Sequence, residues 1–404
     1  MSQYKAYPTY KDSGIEWIGK VPEHWEIKPF FALVSELNRK NTGLIETNIL
    51  SLSYGQVIKK PEKRNMGLTP RSYETYQIVE PGEIVFRFTD LQNDKRSLRS
   101  AEVMQKGIIT SAYMAVKPCG VESSYFAWLM RSYDLSKVFY AMGGGLRQSL
   151  KFEDVRRLPV LIPSPEEQAI IKATLDRETF RIDALIQKKT RFIGLLKEKV
   201  IAIAMAEQMH GNGECIRLKH LVQVIARPVN LVDDGEYVAL GLYNRGRGLF
   251  HKPLTLGKDI GDSDFFYVEP GDLILSGQFA WEGAVTMASS SESGCIVSHR
   301  YPIVRGKKVT TEYLLALFMT NFGDFLLNES SRGSAGRNRP LNINLLLNEK
   351  VRMPSIKAQE DIKRLIELKG QLENKVQVSI EQLKEHRTAF VIAAATGQID
   401  LRGK

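Results

Sequence analysis

The chain repeats itself at about half its length. Val79-Glu80-Pro81-Gly82-Glu83-Ile84-Val85 recurs as Val268-Glu269-Pro270-Gly271-Asp272-Leu273-Ile274, a shift of 189 from Pro81 to Pro270. Leu158-Pro159-Val160-Leu161-Ile162-Pro163-Ser164 aligns with Glu349-Lys350-Val351-Arg352-Met353-Pro354-Ser355 at a shift of 191, which Gln168 and Gln359 keep, as do Leu150 and Leu341. Trp25-Glu26-Ile27-Lys28 falls on Ile216-Arg217-Leu218-Lys219 at the same 191. Collinear blocks at nearly one spacing indicate a duplication, so the chain is one architectural unit made twice.

Each copy has the same order of parts. About 130 residues of short β-branched and aromatic runs, punctuated by Gly and Pro, predict a mixed α/β domain. Within it Ile78-Val79 and Ile84-Val85-Phe86 flank a Pro-Gly turn as a hairpin would, and Tyr125 to Tyr140 is a candidate short helix. A helix start follows: Ser164 can cap, Pro165 takes the first helical position and Glu167 completes a capping box. The second copy keeps Ser355 but has Ala358 at the box position, which predicts a weaker cap.

Beyond each cap the pattern becomes heptad-like. The first copy runs through Ile171, Leu175, Ile182, Ile186, Ile193, Leu196, Val200 and Ile203. The second runs through Ile362, Leu365, Lys369, Leu372, Val376, Ser379, Leu383, His386, Phe390 and Ala393, the alternating threes and fours of a coiled-coil seam. Lys197-Glu198 and Ala202 match Lys384-Glu385 and Ala389 at 187, so the copies differ by four residues, about one helical turn. Gly211 and Gly213 end the first helix, and Gly397 the second.

A helix of about forty residues rises roughly 60 Å and cannot bury its stripe alone. The economical arrangement is an α+β protein: two mixed α/β domains separated by two long antiparallel coiled-coil helices, related by a pseudo-twofold. The alternative is that each helix folds onto its own domain or pairs with another chain. The expected boundaries are 1–162, 163–211, 212–353 and 354–404.

The formal charge of +10 leans toward a polyanionic partner, since basic charge supplies non-specific affinity for nucleic acid through counterion release. The basic residues also have a telling placement, in Gly-rich loops. In the first copy the candidate DNA contacts are Tyr54, Gln56, Lys59, Lys60, Arg87, Lys95, Arg96, Arg99, Arg147 and Gln148. In the second they are Tyr243, Asn244, Arg245, Arg247, Gln278, Trp281, Arg332, Arg337, Asn338 and Arg339. Glycine lets a backbone approach phosphate closely, while arginine and glutamine read guanine and adenine edges bidentately. Gly145 pairs with Gly336 and Gln148 with Arg339, so position is kept while the side chains change. That suits two domains that read unlike half-sites. The competing reading is of surface loops whose charge is merely solvated.

Catalytic patterns are missing. The six histidines are scattered, with no HExxH and no Cys/His cluster for a metal. There is no GxxxxGK[ST] phosphate loop, no GxGxxG with a suitably placed acid, and no Asn-Pro-Pro-aromatic tetrad of amino-methyltransferases. Asp90 to Lys95 resembles nuclease sites only loosely, and Gly143-Gly144-Gly145 has no GxSxG elbow beside it. Cys119, Cys215 and Cys295 are single and widely spaced, the opening residues carry no apolar leader, and the longest apolar run, 200–206, is too short for a membrane span. A cytoplasmic, non-enzymatic protein without membrane contact is expected.

The opening Tyr10-Lys11-Asp12-Ser13-Gly14-Ile15-Glu16-Trp17-Ile18-Gly19-Lys20-Val21-Pro22-Glu23-His24-Trp25 resembles the N-terminus of specificity subunits of type I restriction-modification enzymes. Ile162 to Gln168 resembles the start of their central helix, and Leu195-Leu196-Lys197-Glu198-Lys199 and Thr396-Gly397-Gln398-Ile399-Asp400 the helix ends. The first helix ends Ala204-Met205-Ala206-Glu207-Gln208, a departure from the Val-Thr-x-Gly typical there. The resemblance implies two domains that each read half of a split, asymmetric double-stranded DNA target, with the helices setting the gap. It also implies partners: two modification subunits that bind S-adenosylmethionine and methylate adenine, and endonuclease–translocase subunits that consume ATP with Mg. Those cofactors belong to the partners. A stand-alone DNA-binding or coiled-coil scaffold protein is the other function compatible with these features.

Overall fold

A computed structural model describes residues 4–60, 72–92, 94, 97–142, 149–244, 246–331 and 339–403. The chain divides into two compact units, one of residues 1–187 and 379–404, the other of residues 188–378. Two long helices, Pro165–His210 and Ile356–Ala395, each run from one unit into the other.

The first unit is built on a four-stranded antiparallel sheet in the order Val34–Leu37, Met114–Pro118, Ile84–Phe86, Ser100–Glu102. The helix Ser123–Leu135 buries Tyr125, Phe126, Leu129, Met130 and Tyr133, one face at helical spacing. Its N-cap is Glu122, whose carboxylate accepts from the Tyr125 N–H at 2.5 Å. The expected single helix to Tyr140 is interrupted: it stops at Leu135, Lys137 takes a left-handed φ of +63°, and a short helix resumes at Val138. That face packs with Phe30, Phe86, Ile171, Leu175 and Phe390 in one core. A smaller cluster of Leu50, Leu52, Val57, Val79, Val85 and Ala115 lies on the other side of the sheet.

The second unit repeats this plan. Its sheet runs Val222–Ile225, Ile303–Gly306, Leu273–Leu275, Val285–Met287. The two sequence blocks matched at 191 pair with one another in each unit: Glu26–Pro29 with Pro159–Ile162, and Cys215–Arg217 with Lys350–Arg352. Gln168 accepts from the Glu122 N–H at 2.9 Å and donates to the Pro163 carbonyl at 2.9 Å. Gln359 does the same to Thr310 (2.8 Å) and Pro354 (3.5 Å). Each glutamine ties the start of a long helix to the N-cap of its own unit's short helix. A buried acid is repeated as well: Glu83 is bound by Arg39, and Asp272 by Arg227, with guanidinium–carboxylate distances down to 2.8 Å in the second pair.

The Pro-Gly turns differ from expectation. Gln77–Val79 pairs with Gly107–Ile109, whereas Ile84–Phe86 pairs with Met114–Pro118 and Ser100–Glu102, so the two runs form no hairpin. The turn at Gly82, φ +86°, instead carries the chain from one sheet into another, and Gly271, φ +84°, does so in the second copy. Both flanking strands are wholly buried, which a one-faced hairpin would not require.

Within the first unit the beginning of the first long helix lies against the end of the second. Ile171 and Leu175 share a core with Phe390, Val391 and Ala394, and Arg387 Nε is 3.2 Å from the Asp183 carboxylate. Within the second unit the end of the first helix meets the beginning of the second, through Val200, Ala204 and Ile362. The pairing is therefore antiparallel in both. Ile171, Leu175, Ile182, Ile362 and Phe390 of the seam are buried, while Ile186, Ile193, Leu196, Leu365, Leu372, Val376 and Leu383 are half-buried. Each fully buried Leu, Ile or Phe contributes about 1.5–3 kcal/mol, so the seam is firmest where it joins a domain core. Gly397 closes the second helix at φ +75°, and a Cβ there would fall 2.5 Å from Pro22 Cδ, so glycine is required.

Candidate nucleic-acid interface

In the first unit a hairpin of Leu50–Ser53 and Gln56–Lys59 turns on two residues, with Ser53 opposite Gln56. Tyr54 (φ +49°) and Gly55 (φ +74°) are both left-handed, the type I′ geometry that matches strand twist. The turn holds the Tyr54 side chain out, 93% exposed, beside exposed Gln56, Lys59 and Lys60. A cavity of about 590 Å³ opens beneath it, lined by Trp128, Arg131, Lys172, Phe180 and Arg387 among others.

The loop 87–99 behaves otherwise. Arg99 is fully buried and its guanidinium donates to the Thr89 carbonyl at 3.0 Å, the Asp90 carbonyl at 3.3 Å, the Asp94 carbonyl and the Tyr140 hydroxyl at 3.2 Å. A buried guanidinium must satisfy its donors internally, so Arg99 spends them on the backbone of residues 89, 90 and 94 and is not the exposed contact expected of it. This corrects its place among the candidate contacts. Arg87 is half-exposed and 3.5 Å from the Asp94 carboxylate. Lys95, Arg96, Arg147 and Gln148 lie outside the described residues.

In the second unit the hairpin Leu240–Leu242 with Leu249–His251 carries a longer tip, closed by Tyr243 N–H to the Gly248 carbonyl at 3.0 Å. Tyr243 packs on Phe250 at 4.8 Å between centroids and lies under the Arg247 guanidinium at 5.3 Å. Arg247 Nε donates to the Asn244 carbonyl at 3.0 Å. The tip is bound to a neighbouring turn: Gly246 N–H donates to the Gly283 carbonyl at 2.8 Å, and the Asn244 amide donates to Glu282. Trp281 in that turn donates to the Gln278 carbonyl at 3.1 Å, and the Arg339 guanidinium lies 5.6 Å over its ring. Tyr243, Asn244, Arg247, Gln278 and Trp281 thus belong to two turns joined by hydrogen bonds, and Arg339, nearly one hundred positions from Tyr243, meets the second turn through a cation–π contact. A cavity of about 600 Å³ lies beside them, bordered by Lys197 and Trp281. Arg245, Arg332, Arg337 and Asn338 lie outside the described residues.

Sequence reasoning missed Arg131, because it searched Gly-rich loops and Arg131 sits in a helix. Its spacing from Phe126, Leu129, Met130 and Tyr133 puts it on the opposite side of the helix, where an arginine reads as solvated, so the sequence carried no signal. Lys172, Lys197 and Arg387 were missed for a related reason: on a long helix, charge reads as solvated face. Among the described residues no group of three or more His, Cys, Asp or Glu could hold a metal ion, and no helix is long and apolar enough to cross a membrane.

No family model matches the chain, and no curated relative matches it. Solved structures do. A chain from a study titled as the structural basis of complex assembly and conformational transition of the type I R-M system matches at TM-score 0.60 and 14% identity, covering 93% of this chain and 98% of that one. The HsdS subunit from Thermoanaerobacter tengcongensis matches at TM-score 0.49 and 15% identity over 94% of this chain and 98% of its own. The S subunit of the M. genitalium type I restriction-modification system matches at 0.45 and 11%, over 92% and 96%. The first of these likenesses establishes a shared fold along nearly the whole length.

Proposed function

We propose that this chain is the sequence-specificity subunit of a type I restriction-modification enzyme, a non-catalytic reader of a split, asymmetric DNA target. The observation that carries the reading is a repeated framework with unlike tips. The paired strands, the Gln168 and Gln359 ties and the Arg39–Glu83 and Arg227–Asp272 pairs recur in both units. The hairpin tips do not: one is a two-residue turn bearing a bare tyrosine, the other a longer loop bound to a tryptophan-bearing turn. Structure kept where it supports and changed where it can touch is what two half-sites of different sequence require.

Linking two modest readers raises specificity through effective concentration, because the second half-site binds intramolecularly once the first is held. In this reading the long helices also dock two modification subunits, with endonuclease–translocase subunits joining them in the cytoplasm. S-adenosylmethionine, ATP and Mg belong to those partners.

The test is to express the chain with a modification subunit in a host lacking adenine methylation and to sequence the methylated adenines. A two-part, asymmetric motif is expected, together with a complex holding two modification subunits per chain. Methylation without a split motif sinks the reading. A chain that binds DNA but recruits no modification subunit would be the stand-alone scaffold instead.

A further inference from the structure

The Tyr54-Gly55 turn is held from below by a residue of another element. Arg131, on the helix Ser123–Leu135, donates through Nη2 to the Gly55 carbonyl at 2.5 Å and to the Ser100 carbonyl at 2.9 Å. The guanidinium lies so close that a Cβ on Gly55 would be 2.4 Å from Nη1, and the φ of +74° there excludes a side chain independently. Burial lowers the Arg131 pKa to about 10, with Asp134 opposing the shift and Arg387 adding to it, so the group stays charged at neutral pH. One charged side chain therefore clamps the hairpin tip and a sheet strand to a single helix.

What the clamp presents is unusual. Tyr54 is a non-glycine residue in the left-handed region, a conformation that crowds its Cβ, and it leaves a large aromatic ring 93% exposed. An aromatic ring held out at a strained turn by a charged clamp is an observed outlier from which a contact role can be inferred. The second unit lacks the device. Tyr243, 189 residues on, is 44% exposed and packed against Phe250, and the residue as far from the N-cap Thr310 as Arg131 is from the N-cap Glu122 is Met319.

We propose that Arg131 is a positioning residue that fixes Tyr54 as a base-contacting probe of one half-site; this rests on the DNA-reading role proposed above. A phenol offers flat faces for stacking and a hydroxyl that both donates and accepts. Fixing the turn before DNA arrives removes the ordering cost that a loose loop would draw from binding. Arg131 itself is engaged with carbonyls and acts through Tyr54.

The test selects duplexes from a randomised library with the full chain in complex with its modification subunits. Wild type is expected to select two half-sites. Tyr54→Ala should lose at least tenfold discrimination at one or two adjacent positions of one half-site and leave the other intact. Arg131→Met should lose the same positions, Arg131→Lys fewer, and Arg131→Met added to Tyr54→Ala should change nothing further. A purely structural arginine would instead weaken both half-sites without altering which bases are chosen. The proposal is overturned by an unchanged motif for Tyr54→Ala, whose exposed side chain leaves folding out of the question. It is also overturned by Arg131 variants acting on positions that Tyr54→Ala spares. A wild type that selects no split sequence defeats the DNA-reading role itself, and this inference with it.

Discussion

The Glu207 carboxylate, in the last turn of the first long helix, accepts the Ser355 backbone N–H at 2.8 Å and the Ser355 hydroxyl at 3.0 Å. Ser355 in turn accepts the Ala358 N–H at 3.2 Å, so it caps the second long helix while being capped itself. The reciprocal acid missing from position 358 is thus supplied by another helix. In the first copy the roles differ: Ser164 accepts the Glu167 N–H at 3.3 Å, but the Glu167 carboxylate reaches His24 at 2.9 Å. The expected weak cap is the reinforced one. Glu207→Ala should therefore cost about 1 kcal/mol in urea denaturation of the full chain, and Glu207→Gln less. A neutral Glu207→Ala would mean that water serves Ser355 equally well.

Asp272 is wholly buried and receives Arg227 at 2.8 and 3.1 Å, Arg305 at 2.6 Å and the Glu269 N–H at 2.8 Å. Burial pushes its carboxyl up, yet the hydrogen bonds from Arg227, the Glu269 backbone and Arg305 outweigh that and hold it below the usual aspartate range. A carboxyl depressed by folding stabilises fully above the unfolded value of about 3.9 and loses that contribution as pH falls through the lower folded value. Asp272→Asn should cost about 2 kcal/mol at neutral pH, since it removes the buried carboxylate that both guanidinium groups share and leaves them only the more exposed Glu269. The gap from wild type should narrow below about pH 4. A gap independent of pH would show that packing, not charge, is lost.

How far the sequence disclosed this architecture depends on the length of the signal. The duplication was legible because it spans blocks of seven residues, and the long helices because heptads persist for ten turns or so. The Pro-Gly turns misled because three-residue strands such as Ile84–Phe86 are wholly buried and carry no alternation that names a partner. Arg99 misled for a related reason: a loop arginine gathering backbone carbonyls looks, in sequence, like one awaiting phosphate. The joining of Asn244 to Glu282 and of Trp281 to Arg339 was out of reach, being tertiary throughout.

Arg99 should therefore behave as framework. Arg99→Met removes the guanidinium's bonds to the Thr89, Asp90 and Asp94 carbonyls and is expected to destabilise the chain by about 2 kcal/mol. Thermal denaturation should register that loss, while any protein that remains folded selects the same bases as wild type. Loss of base choice with unchanged stability would return Arg99 to the contact surface.

Arg339 and Trp281 form a cation–π pair beside the second tip, 5.6 Å apart. Both side chains are half-buried, where such a contact is worth about 1 kcal/mol, too little to hold a domain together but enough to orient a guanidinium. Arg339→Ala should leave the melting temperature within about 2 °C, as expected of a surface change, and lower discrimination by roughly tenfold or more in one half-site only. Equal losses in both half-sites would assign Arg339 to general phosphate attraction.

The two long helices carry the last consequence. Each begins in one unit and ends in the other, and their seam is fully buried near the ends but half-buried at Ile186, Ile193, Leu372 and Val376. Material removed from that half-buried stretch disturbs neither domain core. Deleting four residues, about one turn or 6 Å, from each helix keeps the two in step. Since base pairs rise 3.4 Å, the gap between half-sites should shorten by about two. Sequencing of methylated adenines should then return both half-sites unchanged at the shorter spacing. An unaltered gap would show that the spacing is fixed elsewhere, by the modification subunits or by bending of the DNA.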